Sequence, residues 1–136
     1  MVEMELNKIV IDEKRHDQLI VLKEKGGERL LPIVIGLNEA SAIKLKISGF
    51  QPPRPLTHDL LHSTIENLEA VIDRVIIDKL EDNTFHAKLH LKTRSGEIKI
   101  IDARPSDTIA LAVRARAPIF VEDEIIKKSE MFNKSK

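Results

Sequence analysis

Apolar positions in the first third of the chain come in short runs separated by polar or glycine-containing breaks: Leu6, Ile9 and Ile11, then Leu19 to Leu22, then Leu30 to Ile35, with Gly26-Gly27 between the last two. Runs of this length, rich in β-branched residues, predict three strands. After Ile35-Gly36 the spacing becomes helical. Asn38 is placed to cap, Glu39 falls in the first turn, Ala42, Ile43 and Ile47 supply the apolar positions, and Gly49 is the stop. Gln51-Pro52-Pro53-Arg54-Pro55 forbids helix and reads as a stiff connector.

A second helix is predicted from Thr57 to about Glu69. Its stripe of Leu60, Leu61, Thr64, Ile65 and Leu68 is expected to face the core, with His58, His62, Glu66 and Glu69 on the opposite, solvated side. The cycle then starts again, with strands over 71–79, 84–92 and 97–102, turns at Glu81-Asp82-Asn83 and Ser95-Gly96, and a helix from Ser106. A short strand, Ile119 to Val121, follows, and the stretch from Lys127 to Lys136 is expected to fray. Strand-strand-strand-helix thus occurs twice. Each helix is also entered alike, by Ile35-Gly36-Leu37-Asn38-Glu39 and by Ala103-Arg104-Pro105-Ser106-Asp107, a polar cap followed by an acid. The pattern predicts one α+β domain over residues 1–126, built from two related halves.

Composition narrows the functional classes. The 136 residues suffice for one buried core, and the absence of cysteine removes disulfides, thiolate metal sites and cysteine nucleophiles. A reducing, cytoplasmic setting is the simplest home, since the acidic, alternating N-terminus is unlike a signal peptide and no stretch approaches a membrane span. Lys plus Arg total 22 against 22 Asp plus Glu, and the chain has four Phe but no Trp or Tyr. A nucleic-acid binder would therefore have to rely on a local patch rather than on global charge or an aromatic platform.

Two segments carry candidate chemistry: Pro53-Arg54-Pro55-Leu56-Thr57-His58-Asp59-Leu60-Leu61 and Asp102-Ala103-Arg104-Pro105-Ser106-Asp107. Each puts a guanidinium, a hydroxyl and a carboxylate near a helix start. Arg54 and Arg104 can hold phosphate oxygens, and Glu39, Asp59 and Asp107 can offer oxygen ligands to a hard divalent ion such as magnesium or manganese. His58 can act as general acid or base. No organic cofactor is expected. The same residues have a structural reading, because hydroxyl caps, first-turn acids and a preceding proline suit any helix start, and Arg54 and Arg104 can be internal ion-pair partners of Asp59 and Asp107.

The remaining histidines and cations read as surface. His62 is four residues from His58 but falls on the solvated stripe, and His86 and His90 share a strand face about 13 Å apart. Lys44, Lys46, Arg114 and Arg116 could form a basic patch or simply solvate helix faces. No glycine-rich phosphate loop, nucleophile elbow or EF-hand loop is present.

The two segments, with Asp82-Asn83-Thr84-Phe85 and Ala117-Pro118-Ile119-Phe120-Val121, resemble the bifunctional nuclease family from about residue 4 to 125. The resemblance implies a barrel-like mixed sheet with helices packed outside, duplicated halves, and a nuclease acting on DNA and RNA, an activity credited chiefly to plant members. The matching positions are Glu39, Arg54, His58, Asp59, Arg104, Ser106 and Asp107. It assigns catalysis to His58, Asp59 and Asp107, substrate binding to Arg54, Arg104 and Ser106, and metal binding to Glu39, Asp59 and Asp107. Two departures stand out. Arg116 sits where the family usually has a small residue, often Gly, and the C-terminal module of the plant members is not expected here. The alternative is a non-catalytic module that uses the same cluster to hold an anionic ligand or a partner. DNA or RNA is the expected partner, a homodimer or other homo-oligomer is allowed, and no membrane is expected.

Overall fold

The computed structural model of the chain describes residues 1–12, 14 and 17–134. His16 lies outside them. The elements in chain order are β1 (Val2–Val10), β2 (Gln18–Glu24), β3 (Leu30–Ile35), α1 (Leu37–Ile47), α2 (Thr57–Asn67), β4 (Val71–Glu81), β5 (Thr84–Lys92), β6 (Ile98–Ala103), α3 (Pro105–Ala115), β7 (Ile119–Val121) and α4 (Asp123–Lys134). Among the described residues no helix is long and apolar enough to cross a membrane.

The two halves are antiparallel meanders, β1-β2-β3 and β4-β5-β6. Short β7 joins them. It pairs antiparallel with β1, Glu3 opposite Phe120, and parallel with β4, Ile76 opposite Phe120, giving a mixed sheet in the order β3-β2-β1-β7-β4-β5-β6 that curls into a half-barrel. The β4-β5 turn, Asp82-Asn83, takes positive φ at both residues (51° and 63°), the conformation of a tight hairpin that Asp and Asn tolerate better than most side chains. Each meander ends in a helix start, β3 through Gly36 into α1 and β6 through Arg104 into α3.

Strand alternation sends one face of the sheet inward, where Ile20, Leu22, Leu31, Val75, Ile77 and Ala87 are sealed from solvent. Helix α3 lies against β4 and β5 and against α1 and α2, and its Thr108-Ile109-Ala110-Leu111-Ala112 run is buried on every side. A helix apolar all round can only be stable in such a place. Full burial of each Leu, Ile or Val contributes about 1.5–3 kcal/mol, so α3 and the strands beneath it supply much of the stability.

Three expectations need correction. Helix α1 begins at Leu37 after Gly36, so Asn38 lies inside it rather than capping it. Helix α2 is turned about its axis: of the stripe expected to face the core only Ile65 is buried, Leu60 and Leu68 are 61% and 76% exposed, and His58 and His62 face inward. Bonds of His58 with Asp107 and of Asp59 with Arg114, both partners in α3, hold it this way. The stretch from Lys127 does not fray at once but continues as α4 to Lys134, anchored by Ile125 and Ile126 and with Ser129 buried.

Arg116 ends α3 in the left-handed conformation, φ 56° and ψ 38°, and the Ala117 N–H closes back on the Ala112 carbonyl at 3.0 Å. The closure is the usual one despite the unusual residue, and the side chain carries the steric cost there. Replacing Arg116 by Gly removes that cost. Arg116→Gly is expected to raise unfolding stability by about 1 kcal/mol, measured by urea denaturation. An unchanged or lowered midpoint would show that the Arg116 side chain stabilises the fold by another route.

Candidate active site

Pro105 forces the residue before it into extended backbone, and Arg104 accordingly has φ −75° and ψ 145° at the end of β6. Its side chain is thereby free to fold over the first turn of α3. There Arg104 Nε donates to Asp107 Oδ2 at 2.9 Å and Nη2 to Oδ1 at 3.3 Å, while Nη1 reaches Glu39 Oε1 of α1 at 3.3 Å. One guanidinium thus ties the starts of the two equivalent helices. From α2, His58 Nε2 lies 2.9 Å from Asp107 Oδ1.

Burial pushes the Asp107 carboxyl up, but the hydrogen bonds from Arg104 and His58 outweigh it and hold the group below the ordinary aspartate value of 3.8. The hydrogen bond to Asp107 raises Arg104 in turn. Asp107 is therefore an ionised acceptor, which makes His58 Nε2 the donor, and in the neutral ring the lone pair then sits on Nδ1. Nδ1 makes no hydrogen bond with the described residues, and the His58 side chain is 14% exposed.

Asp59 points elsewhere. Its Oδ2 accepts the Leu56 N–H at 2.9 Å and its Oδ1 accepts Arg114 Nε at 2.8 Å, and Arg114 also donates Nη1 to the Ala110 carbonyl at 2.8 Å. Leu56, the residue before the helix, has no side-chain acceptor, so the carboxylate of Asp59 does the capping. The Leu56 hydrogen bond is the main cause of the lowered Asp59 pKa, with Arg114 adding to it against burial. The Arg114 side chain is 3% exposed. It belongs to no basic surface, and the sequence signal for this was available: an Arg inside an all-apolar helical run is buried with it and needs an acid.

Of the residues singled out in the sequence, Glu39, His58, Arg104 and Asp107 come together. Arg54 is exposed in the connector and pairs with none of the described residues, and buried Ser106 bonds to none of the cluster but lines a cavity that Glu39 and Arg104 also line. His62 is 3.7 Å from Glu66 of its own helix. Glu39, Asp59 and Asp107 are not arranged as a common ligand set: Asp59 is committed to Arg114 and Leu56, Arg104 sits between the other two, and no group of three or more His, Asp or Glu suited to a metal occurs among the described residues. As placed, these acids do not fit a divalent ion.

Arg104 also stands between two cavities. One, of about 630 Å³, opens between α2 and the β5-β6 edge with mainly apolar walls, among them Leu61, Leu89, Leu91 and Ile101, and with Asp107 on its border. The other, of about 680 Å³, lies toward α4 and is more polar, with Asn83, Ser106 and Ser129 in its wall. Phe85 and Thr84 line both.

The sequence profile of the bifunctional nuclease domain matches residues 20–134. An uncharacterized protein of Mycobacterium tuberculosis (strain H37Rv) is 39% identical over 129 residues, covering 95% of this chain and 76% of its own length. Bifunctional nuclease 2 of Oryza sativa subsp. japonica is 32% identical over 115 residues, and bifunctional nuclease 1 of Oryza sativa subsp. indica is 25% identical over 116. These matches cover 82% and 84% of this chain but 35% of each plant protein.

The two aspartates differ in what their loss should do. Asp59→Asn leaves a buried guanidinium without its counter-charge and should cost about 3 kcal/mol in urea unfolding, and adding Arg114→Met should recover much of the loss. Equal losses in the single and double variants would mean that the pair does not hold α2. Both acids have lowered folded pKa values, so their stabilisation is complete above the ordinary value of 3.8 and is lost as pH falls through the lowered folded values. The wild-type midpoint should accordingly fall with acidification below that point, and in Asp59→Asn it should fall less.

Proposed function

The chain belongs to the bifunctional nuclease domain family, and on that premise we propose that it is a nuclease hydrolysing phosphodiester bonds in DNA and RNA. The observation that carries the reading is the chain of contacts His58–Asp107–Arg104, in which Arg104 lines both cavities and Asp107 the first. His58 Nδ1 takes the proton of the attacking water, and Asp107, bonded to Nε2–H, holds the ring's tautomer and stabilises the imidazolium that forms. Arg104 stabilises the charge on the phosphoryl oxygens. Three of its five N–H groups serve Asp107 and Glu39, which leaves two for phosphate on a side chain that is 66% exposed.

Asp59 has a positioning role in this scheme, because it fixes α2 and so the ring of the residue before it. The plant relatives named as nucleases are about three times as long as the matched region, so their activity supports the proposal without defining its substrate. Asp107 and Glu39 are held by Arg104 and Asp59 by Arg114, so no step is assigned to a metal. A second reading is a non-catalytic module that holds an anionic ligand or partner at the same cluster. The zero net charge and the lack of Trp and Tyr favour it.

Turnover decides between them. Purified protein is expected to cut plasmid DNA and RNA, and His58→Gln and Arg104→Gln, each confirmed folded, should be slower by about 100-fold or more. Parallel reactions with magnesium, manganese or chelator show whether an ion takes part. Cleavage that persists at the wild-type rate in both variants comes from a contaminant and sinks the nuclease reading.

A further inference from the structure

Ser106 and Ser129 are each 6% exposed, both line the cavity on the α4 side of Arg104, and neither hydroxyl has a hydrogen-bond partner among the described residues. Neither hydroxyl is itself sealed from solvent, the one sealed and unpartnered side-chain atom among the described residues being Asp78 Oδ1, so both are free to bond what enters the cavity. They come from different elements, Ser106 from the first turn of α3 and Ser129 from the middle of α4. Convergence on one space is thus a product of the tertiary fold.

Charge divides a ligand between the rim and the interior. Arg104 stands at the boundary between the two cavities, while Glu39 and Asp17 contribute carboxylates to the wall of this one. A phosphate group is attracted to the guanidinium and repelled by those acids, so it stays at the rim. What enters is neutral and rich in hydroxyls or amines, because the carboxylates only accept hydrogen bonds while the serines and Asn83 both donate and accept. Leu19, Ile33, Leu80 and Phe85 add apolar wall suited to a flat ring. The volume, about 680 Å³, is in the range of cavities that take small organic ligands.

We propose that this cavity is a nucleoside subsite: it takes the sugar and base of a nucleotide whose phosphate lies on Arg104, with the Ser106 and Ser129 hydroxyls bonding the sugar. The choice of a nucleotide rests on the nuclease reading, and the subsite itself is defined by binding. Its consequence is a preference for unpaired strands, since a base must leave its duplex partner to enter.

Calorimetric titration with adenosine 5′-monophosphate, adenosine and inorganic phosphate tests it. The monophosphate should bind at least tenfold more tightly than either fragment. Ser129→Ala should weaken it about fivefold, the worth of one neutral hydrogen bond. Ser129→Leu, which fills the space, should abolish binding while urea unfolding shows the protein still folded; should that variant not fold, Ser129→Ala alone decides. Equal affinity for phosphate and monophosphate, no heat with the monophosphate, or wild-type affinity in Ser129→Ala would each overturn the subsite. Binding with no cleavage of any substrate would overturn the nuclease reading and leave the subsite standing, whereas cleavage with no monophosphate binding would do the reverse.

Discussion

A guanidinium buried within an apolar helix is the constraint on which the rest of this structure depends. Arg114 lies at the end of α3 with its side chain almost wholly out of solvent, and an unpaired charge there would cost several kcal/mol. Asp59 meets it from α2, and because the same carboxylate caps α2 through the Leu56 N–H, the pairing fixes where that helix begins as well as how it is rotated. His58 is one residue earlier, about 100° around the helix. With Asp59 on Arg114, the ring of His58 falls on Asp107, which lies two turns back along α3 on the same face. Two anchors seven residues apart on one helix thus place the candidate base.

That constraint also explains which parts of the structure were legible in the sequence. The two meanders and the helix after each were readable because half-buried strands alternate and Gly36 and Pro105 mark where the chain leaves the sheet. The face of α2 was not readable in the same way. Hydrophobic periodicity assumes that the apolar stripe goes inward, whereas here the polar side is drawn in by two charged groups of α3 and Leu60 and Leu68 are left in solvent. A periodic pattern reports a helix reliably, but which face is buried depends on the neighbour. The C-terminal segment failed for a related reason: Ile125 and Ile126 are a short apolar signal in a lysine-rich stretch, and only the curled sheet gives them something to pack against.

Of the candidate site, the part legible in sequence was the part carried by local spelling. Arg104 and Asp107 meet because i and i+3 are neighbours across the first turn of a helix, and the preceding extended residue aims the guanidinium back over it. Glu39 joins because the duplicated architecture brings the two helix starts together. The grouping of Asp59 with Asp107 failed because it counted acids without direction: adjacent side chains on α2 serve different partners. Ser129 had no signal, since a lone serine in a polar helix shows no sign of facing a cavity until the sheet has curled.

The charge balance of the cluster has a bearing on the proposed reaction. With His58 neutral, Glu39 and Asp107 exceed Arg104 by one negative charge. Proton uptake by His58 would bring the cluster to neutrality at the moment negative charge gathers on the phosphoryl group. A phosphate competing for Arg104 faces two ties of unequal strength, Nε to Asp107 at 2.9 Å and the longer Nη1 to Glu39 at 3.3 Å. The contact to Glu39 is the one that yields, since the tie to Asp107 is shorter and doubled. Arg104 can then turn toward substrate without releasing the acid that orients His58. On the proposed reading, attraction for a phosphate would come from one exposed guanidinium with a dispensable partner rather than from the charge of the whole surface.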